Sequence, residues 1–551
     1  MRRLTVLAAL CALAAGCASV PSQPGSDNSQ DVASSTGPVK IDPTISNTLM
    51  NLADHVDQEK VDLTGVQAGM PVYDILGLGS PIGYNLRNRY LNIGVPIAEG
   101  FARDLDPDFR NQLINMARWS HGGETRSAAL LILARQQNLA DTQILNEALV
   151  FLDPAVRFGA LGALQVFGHP EMAMPLLAAA SDRDPFPVLR VYAAAGSARL
   201  GDPAGLQRLR NFLDDPSWLI RAMAARYLGE NGTPADYDLL VSRIGRETLN
   251  DFNVAELCVA ALKLYPQKLA AVKQAAANAD VLNKPTQALP PADSGNIPDG
   301  AGTAYQLEPL VIRAPRTHIT GDMPIDPQIN SNLLRLLQKM GERPNADQAA
   351  DANVQQLSQL STVDGYNLQI RYNQLGFLLT EGLAGTTDFE LLTALQHTAS
   401  SAKNVQIRAA AMVALAYTKD PQYLPIFQQG LNSNNNITVR FGALESLLIM
   451  GDPGTQLQIS NAAHSDPSPA IQLYAAAGMW KMGDIFGQQI LQHNYQAQDW
   501  FTRAMAAHYL GELGSGYEYR ELLQQLQQES NPQVQAELCS ALMRLQKFKD
   551  D

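Results

Sequence analysis

Residues 184–201 read DPFPVLRVYAAAGSARLG, and this stretch decides the fold. An Asp-Pro pair is a typical helix start, because aspartate accepts hydrogen bonds from free amides and proline has no amide to leave unpaired. A helix formed by the residues that follow would be apolar around most of its circumference, and its small residues would permit close approach of neighbouring helices. Gly201 suits a left-handed exit from the helix. We therefore predict a short helix that lies sandwiched between neighbours.

The same pattern recurs every 31 residues, at Asp153-Pro154, Asp184-Pro185 and Asp215-Pro216. The predicted helices cover residues 156–167, 188–200 and 219–228, and the glycines that close them are Gly168, Gly201 and Gly229. A second helix precedes the next Asp-Pro pair, for example from Pro203 to Leu213 with Asp202 as its cap. Two helices per period near 30 residues indicate stacked helical hairpins.

The whole pattern occurs twice in the chain. Residues 221–230, RAMAARYLGE, return as residues 503–512, RAMAAHYLGE. We predict an all-α fold, an α-solenoid of two tandem duplicated units at 41–275 and 325–551, joined by a Pro/Gly-rich linker at 276–324. Contacts in a solenoid join neighbouring repeats, so each unit is expected to fold alone. A protease cut near Gly300 is then expected to yield two stable halves.

The N-terminus predicts the compartment. Arg2 and Arg3 precede an apolar run at 4–15, which together form a signal peptide at 1–16 that is too short to span a bilayer. The text LAAGC ending at Cys17 resembles a bacterial lipobox, which implies cleavage before Cys17 and its acylation. Ala18, rather than aspartate, follows, as in lipoproteins sorted to the outer membrane. We expect a lipid-anchored protein facing the periplasm, with residues 17–40 as a flexible tether; the alternative is an ordinary signal peptide.

Composition argues against several functions. The chain has 54 acidic against 41 basic residues, a formal net charge of −13, which disfavours nucleic acid as a partner. Cys258 and Cys539 occupy the same position in apolar text of the two copies. They are predicted to be buried free thiols, with a disulfide as the alternative.

Catalytic patterns are missing from the sequence. There is no metalloprotease, Walker or nucleophile-elbow motif, and the eight histidines lack metal-ligand spacing. His508 stands where the first copy has Arg226, which we interpret as a generic polar surface position. We predict no catalytic residue, no metal and no cofactor.

An Asp-Pro turn, then Val-Arg or Ile-Arg, then Ala-x-x-Ala-x-x-Leu-Gly resembles HEAT repeats, and more narrowly the short repeats of phycobilisome lyases. The likeness covers roughly 106–266 and 388–547. It implies an α-solenoid but not one function, because the family includes scaffolds, transport factors and lyases. It also implies a structural ladder in which arginines after the turn bond the next repeat's aspartate: Arg157, Arg190, Arg221, Arg440 and Arg503. The second copy departs at Asn434–Asn436, which replace the turn, and at Gln472, which replaces Arg190.

A group of aromatic and arginine positions agrees between the copies beyond what helix packing needs. Exposed Trp, Tyr and Arg are typical anchors of protein interfaces, so we consider these residues for partner binding. The alternative is packing, as an aromatic cap over the first repeat or as a buried tryptophan. The residues are Tyr84, Arg89, Tyr90 and Trp218, with their copies Tyr366, Arg371, Tyr372 and Trp500.

These observations predict a scaffold or assembly factor in the bacterial cell envelope that binds protein through helical faces. One alternative is a cell-wall or polysaccharide-binding component of a secretion or motility machine. Another is a lyase-like HEAT enzyme or its accessory.

Overall fold

The computed structural model describes residues 41–56, 70–72, 86, 89–102, 107–247, 250–282, 325–342, 356–360 and 363–549. Every regular element in these ranges is an α-helix or a short 3-10 helix, which confirms the all-α prediction. The predicted signal peptide, Cys17 and the tether lie outside the described residues. Among the helices that are described, none has the length and apolar character needed to cross a membrane.

The first unit contains twelve described α-helices. In chain order they are α1 Pro43–Asp54, α2 Gly94–Phe101, α3 Pro107–Trp119, α4 Gly123–Arg135, α5 Thr142–Leu149, α6 Pro154–Val166, α7 Pro170–Arg183, α8 Pro187–Arg199, α9 Pro203–Phe212, α10 Trp218–Asn231, α11 Pro234–Ile244 and α12 Asp251–Leu282. The last helix continues beyond residue 275, where we predicted the unit to end.

The second unit repeats this order. Its described α-helices are α13 Pro327–Glu342, α14 Val363–Asn373, α15 Leu375–Gly382, α16 Phe389–Ser401, α17 Val405–Ala416, α18 Leu424–Gly430, α19 Ile437–Met450, α20 Gln456–Ser465, α21 Pro469–Lys481, α22 Ile485–Asn494, α23 Trp500–Leu513, α24 Gly516–Gln528 and α25 Pro532–Leu545.

Twenty-four of the twenty-five described α-helices pair into twelve hairpins, six in each unit, and α14 packs beside α15. The second helix of each hairpin packs on that of the next hairpin, in the order α2, α4, α6, α8, α10, α12, α15, α17, α19, α21, α23 and α25. The last helix, α25, packs in turn on the first, α2, so this layer closes into a ring. The remaining helices cover it as a second layer. The prediction of two units in tandem did not include this closure.

The two units therefore meet at two places. We call the packing of α12 against α13 and α15 the first junction, and the packing of α25 against α1 and α2 the second junction. The second unit's last hairpin covers the face that the first unit's first hairpin would otherwise expose. A solenoid with free ends needs polar capping repeats, and the ring satisfies the same requirement by burying one end on the other.

The Asp-Pro pairs start the helices in two ways. Asp153 is a true N-cap, since its Oδ1 accepts from Ala155 N at 2.8 Å and α6 begins at Pro154. At Asp184 and Asp215 the carboxylate also accepts from the second following amide, but α8 and α10 begin at Pro187 and Trp218, three residues after the aspartate and one residue before the predicted starts. In the second copy the side chain of Asn436 caps α19 in place of aspartate, with a 2.9 Å bond from Thr438 N.

The closing glycines also differ from one another. Gly168 and Gly201 have φ values of 75° and 93°, the left-handed exits that we predicted. Gly229 lies inside α10, which continues to Asn231, so the predicted helix end at this position is wrong. A Cβ at Gly229 would come within 2.6 Å of Ala260 Cα on α12. This glycine is present because two helices approach closely, not because a helix ends.

Candidate functional site

The first junction is organised by Arg371, which lies near the end of α14 and is 1% exposed. Its Nη2 donates to Glu256 Oε2 at 2.9 Å, and its Nε donates to the other oxygen of the same carboxylate. Its Nη1 donates to Glu381 at 2.6 Å. Burial alone would lower the pKa of Arg371, but the carboxylates of Glu256 and Glu381 raise it above its ordinary value. One guanidinium thus joins α12 of the first unit to α15 of the second.

The second junction has the same design around Arg89. Its Nη2 donates to Glu537 on α25 at 2.7 Å, and its Nη1 donates to Glu99 on α2 at 2.9 Å. Arg544 on α25 also donates to Glu99, at 2.6 Å. Although burial acts in the opposite direction, Arg89 and His508 lower the pKa of Glu537 to about 2. Both carboxylates are therefore charged at neutral pH.

The two junctions are built from the same duplicated positions. The corresponding residues of the first and second junction are Arg371 and Arg89, Glu256 and Glu537, Glu381 and Glu99, Lys263 and Arg544, Arg226 and His508. In both junctions the buried arginine bonds the two glutamates. The sequence contained a signal for this arrangement. Glu256 and Glu537 lie in the same short sequence, AELC, within predicted apolar helices. A charged residue buried in such a helix needs a partner of opposite charge.

His508 distinguishes the second junction from the first. It is completely buried, so our interpretation of it as a surface position was wrong. Its Nδ1 lies 3.7 Å from Glu537 Oε2 and 3.3 Å from Arg544 Nη1. Burial and the cations Arg89 and Arg544 lower the pKa of His508, while Glu537 acts in the opposite direction. In the first junction the equivalent Arg226 pairs with Glu230 at 3.0 Å.

The aromatic residues of the predicted partner-binding group pack within the chain. Tyr90 and Tyr372 are buried, and the ring of Tyr90 meets Phe501 at a centroid distance of 5.0 Å across the second junction. Trp218 lies 6.3 Å from Tyr372 across the first junction, and Trp500 is likewise partly buried. This burial favours the packing alternative. Tyr366 belongs to α14, but its side chain, like Tyr84, lies outside the described part.

Four of the five predicted ladder arginines bond the next repeat. Arg157 contacts Asp184 and Arg440 contacts Asp466, each with a 2.9 Å bond from Nε. Arg221 and Arg503 use a glutamate instead: Glu247 and Glu529. Arg190 differs, since its buried Nε has no hydrogen-bond partner among the described residues. The acceptor is therefore aspartate for two of the four paired arginines and glutamate for the other two.

A second surface feature lies at the edge of the first unit, at the turns that join α3 to α4 and α5 to α6. Trp119 is 74% exposed, Val150 is 83%, Phe151 is 40% and Leu152 is 93%. Trp119 and Phe151 line one depression of about 160 Å³, with Arg126 beneath them. We call these five residues the edge patch. Large apolar side chains that cluster in solvent are typical of interaction sites.

The duplication supplies an internal comparison for the edge patch. Trp119 corresponds to Ser401, and residues 150–152 correspond to Ser433, Asn434 and Asn435. In the second unit Asn435 donates to the carbonyls of Gln429 and Gly430 at 2.9 and 3.1 Å, so that loop is polar and satisfies itself. The fold therefore does not require apolar residues at these positions. The patch was not predicted from the sequence, although the mismatch between the two copies at these positions could have indicated it.

Other reactive groups in the described ranges are structural. Cys258 and Cys539 are buried and free, as predicted, and burial raises the pKa of Cys258 to about 12. Among the residues that the structure describes, no three His, Cys, Asp or Glu side chains are grouped as metal ligands.

Comparison with known proteins identifies the repeat. Residues 173–263 match the family model for HEAT repeats. No curated protein sequence matches the chain. Among solved structures, Kap121p bound to Ste12p is 12% identical over 91% of this chain and 53% of that one, with a TM-score of 0.32. Human deoxyhypusine hydroxylase in complex with glycerol is 16% identical over 64% and 98%, with a TM-score of 0.22.

The repeat match and the stacked hairpins define the class: the chain is a HEAT-repeat protein with an all-α solenoid fold. Within that class it is a duplicated solenoid whose two units meet at two junctions, the second of which closes the ring. The chain spans about half of Kap121p, 53%. At these identities and TM-scores, what those proteins bind carries no argument for this one.

Proposed function

We propose that this chain is a lipid-anchored scaffold of the bacterial cell envelope that binds a protein partner through the edge patch. The anchor is supported by the lipobox-like text that ends at Cys17 and by the polar tether that follows it. We propose on this basis that the ring faces the periplasm and is anchored at the outer membrane.

The observation that carries protein binding is the edge patch. HEAT solenoids present extended surfaces to partners, and Trp and Arg are the residues most enriched at the centre of protein interfaces. The patch combines these residue types on one exposed edge, and the second unit has polar residues at the matching sites. Arg89, Tyr90, Arg371 and Tyr372, which we first considered for this role, are buried by the chain itself.

Photo-crosslinking in intact cells tests the proposal. A photoreactive phenylalanine at position 119 or 152 is expected to give one discrete protein adduct that mass spectrometry identifies. The same group at Leu457, which is 68% exposed in the second unit, is the matched control and is expected to give none. Absence of a protein adduct at both edge-patch positions contradicts the proposed function.

Two further measurements test the compartment and the alternative. Cys17→Ser is expected to move the chain from the membrane fraction to the soluble envelope fraction; a variant that fractionates unchanged contradicts the lipid anchor. Sedimentation with purified peptidoglycan tests a cell-wall role, because exposed aromatic side chains also stack on sugars. Sedimentation that persists in Trp119→Ser argues against a wall site at the edge patch.

A further inference from the structure

Arg126 differs from the ladder arginines that follow it. It lies on α4 at the position that Arg157 holds on α6, one repeat earlier. Arg157 contacts both oxygens of Asp184, at 2.9 and 3.2 Å, and also donates to two loop carbonyls. For Arg126, by contrast, no carboxylate of a described residue lies within ion-pair distance.

The guanidinium of Arg126 is placed at the base of the edge patch. The residue is 7% exposed, and its Nε donates to Ala117 O at 3.0 Å. Its guanidinium carbon lies 3.8 Å from the ring centroid of Phe151, so the cation stacks on an aromatic face. Its two terminal nitrogens, Nη1 and Nη2, form no hydrogen bond to any residue that the structure describes. Burial lowers the pKa of Arg126, and Asp153 only partly offsets this effect.

The acidic residues around Arg126 are engaged elsewhere. Asp153, the acidic residue of the next turn, caps α6 with Oδ1 and forms no ion pair with Arg126. On the rim, Arg118 and Glu147 pair with each other at 2.9 Å. The depression thus offers apolar walls, a neutralised rim and one largely buried cation whose terminal donors, Nη1 and Nη2, bond no described residue.

We infer that the edge patch binds a protein segment in which a carboxylate side chain lies next to a large apolar side chain. The apolar side chain occupies the depression between Trp119 and Phe151, and the carboxylate accepts hydrogen bonds from Nη1 and Nη2 of Arg126. Arg157, Arg440 and Arg503 bind a carboxylate of their own chain bidentately through Nε and Nη2. Nε of Arg126 is already bonded to Ala117 O, so the ligand's carboxylate takes the two terminal nitrogens instead. This inference rests on the proposed function and specifies the chemistry of the partner.

Peptide selection on the full chain tests the inference. Random twelve-residue peptides displayed on phage are selected on the immobilised protein and depleted on a Trp119→Ser/Leu152→Asn variant, which carries the second unit's residues at two patch positions. The recovered peptides are expected to share an Asp or Glu next to an aliphatic or aromatic residue. Replacing that acid by its amide is expected to weaken binding about ten-fold or more, as for loss of a charge-assisted hydrogen bond.

Variants of the protein separate the contributions. The Arg126→Gln variant is expected to bind the acidic peptides more weakly by the same factor, and to bind the acid and amide versions with equal affinity. Leu457→Ser, an exposed change outside the patch, is expected to leave every affinity unchanged. Because Arg126 is buried, thermal unfolding checks that its variant folds; Leu152→Asn affects only an exposed side chain and is expected to weaken all peptides.

Several outcomes overturn the inference. They are recovered peptides without acidic residues, amide versions that bind as well as acids, no peptide that survives depletion, or self-association that Leu152→Asn abolishes. None of these results bears on whether crosslinking finds a partner in cells. If crosslinking finds a partner but the peptide selection fails, the scaffold proposal stands and the assigned chemistry of the partner is rejected. If the selection succeeds but crosslinking finds no partner, the chemistry stands and the scaffold proposal is rejected.

Discussion

Replacing Arg371 by leucine removes the cation that neutralises the first junction. Glu256 is 0% exposed and has Arg371 as its ion-pair partner, so the variant leaves a buried charge without compensation. Breaking a buried ion pair in this way costs about 3–5 kcal/mol. Glu381 is affected less, because Arg226 and Lys263 also lower its pKa. We expect Arg371→Leu to lower the free energy of unfolding by an amount near the middle of that range.

The equivalent change in the second junction is a matched control. In Arg89→Leu, Glu99 retains Arg544 at 2.6 Å, and Glu537 retains His508, which can take up a proton. We expect this variant to lose at least about 1 kcal/mol less than Arg371→Leu. Arg89→Leu is expected to lose less stability than Arg371→Leu because His508 and Arg544 remain beside the glutamates. The burial of the two arginines is similar and does not distinguish the variants.

A double-variant cycle provides the assay. Urea unfolding of wild type, Arg371→Leu, Glu256→Gln and the double variant, followed by circular dichroism, gives the coupling energy between the two side chains. The double variant is expected to be more stable than Arg371→Leu alone, because no unpaired charge stays buried. A loss below about 1 kcal/mol in Arg371→Leu, or losses that simply add in the double variant, would refute the reasoning.

Three other predictions follow from the ring. A protease site inserted near Gly300 is expected to yield two halves that still elute as one particle, because both junctions remain after the cut; separate halves on a sizing column would show that the junctions do not hold. Gly229→Ala is expected to cost about 1–3 kcal/mol, because its Cβ meets Ala260, whereas Gly162→Ala, whose nearest contact is 3.4 Å away, is tolerated; equal melting temperatures would contradict this. Burial raises the pKa of Glu445 to about 8, so the folded chain binds this proton more tightly than the unfolded chain, and the stability it gives below pH 4.5 is lost as pH rises through 8. Glu445→Gln is therefore expected to be more stable than wild type at pH 8.5 and similar to it at pH 4.5; the same difference at both values would disprove the link.

The first of these three predictions, the protease cut, replaces an expectation from the sequence. Neighbour-only contacts suggested that each half would be independent after a cut. The closed ring gives each half two large contacts with the other, and their buried charges are satisfied only across the junctions. A separated half would expose Arg371 or Glu256 without its partner.

The candidate site was predictable only in part. The duplicated arginines and tyrosines were visible as unusual agreement between the copies, but exposed anchors and buried junction residues give the same signal in one sequence. His508 shows the same ambiguity, since an Arg-to-His difference fits a solvated surface as well as a buried network. The edge patch could have been found by asking where the copies disagree, because Trp119 against Ser401 is a difference that packing does not require.

The amino-acid sequence by itself determined the helices, their 31-residue period, the duplication and most of the ladder, because caps, apolar periodicity and turn residues act over a few neighbouring positions. It did not determine that α25 returns to α2. Closure depends on the small rotation between successive hairpins, summed over twelve of them, and no local pattern specifies that sum. Only the tertiary structure therefore decided which of the duplicated side chains join the two units and which apolar ones, at the edge patch, remain in solvent.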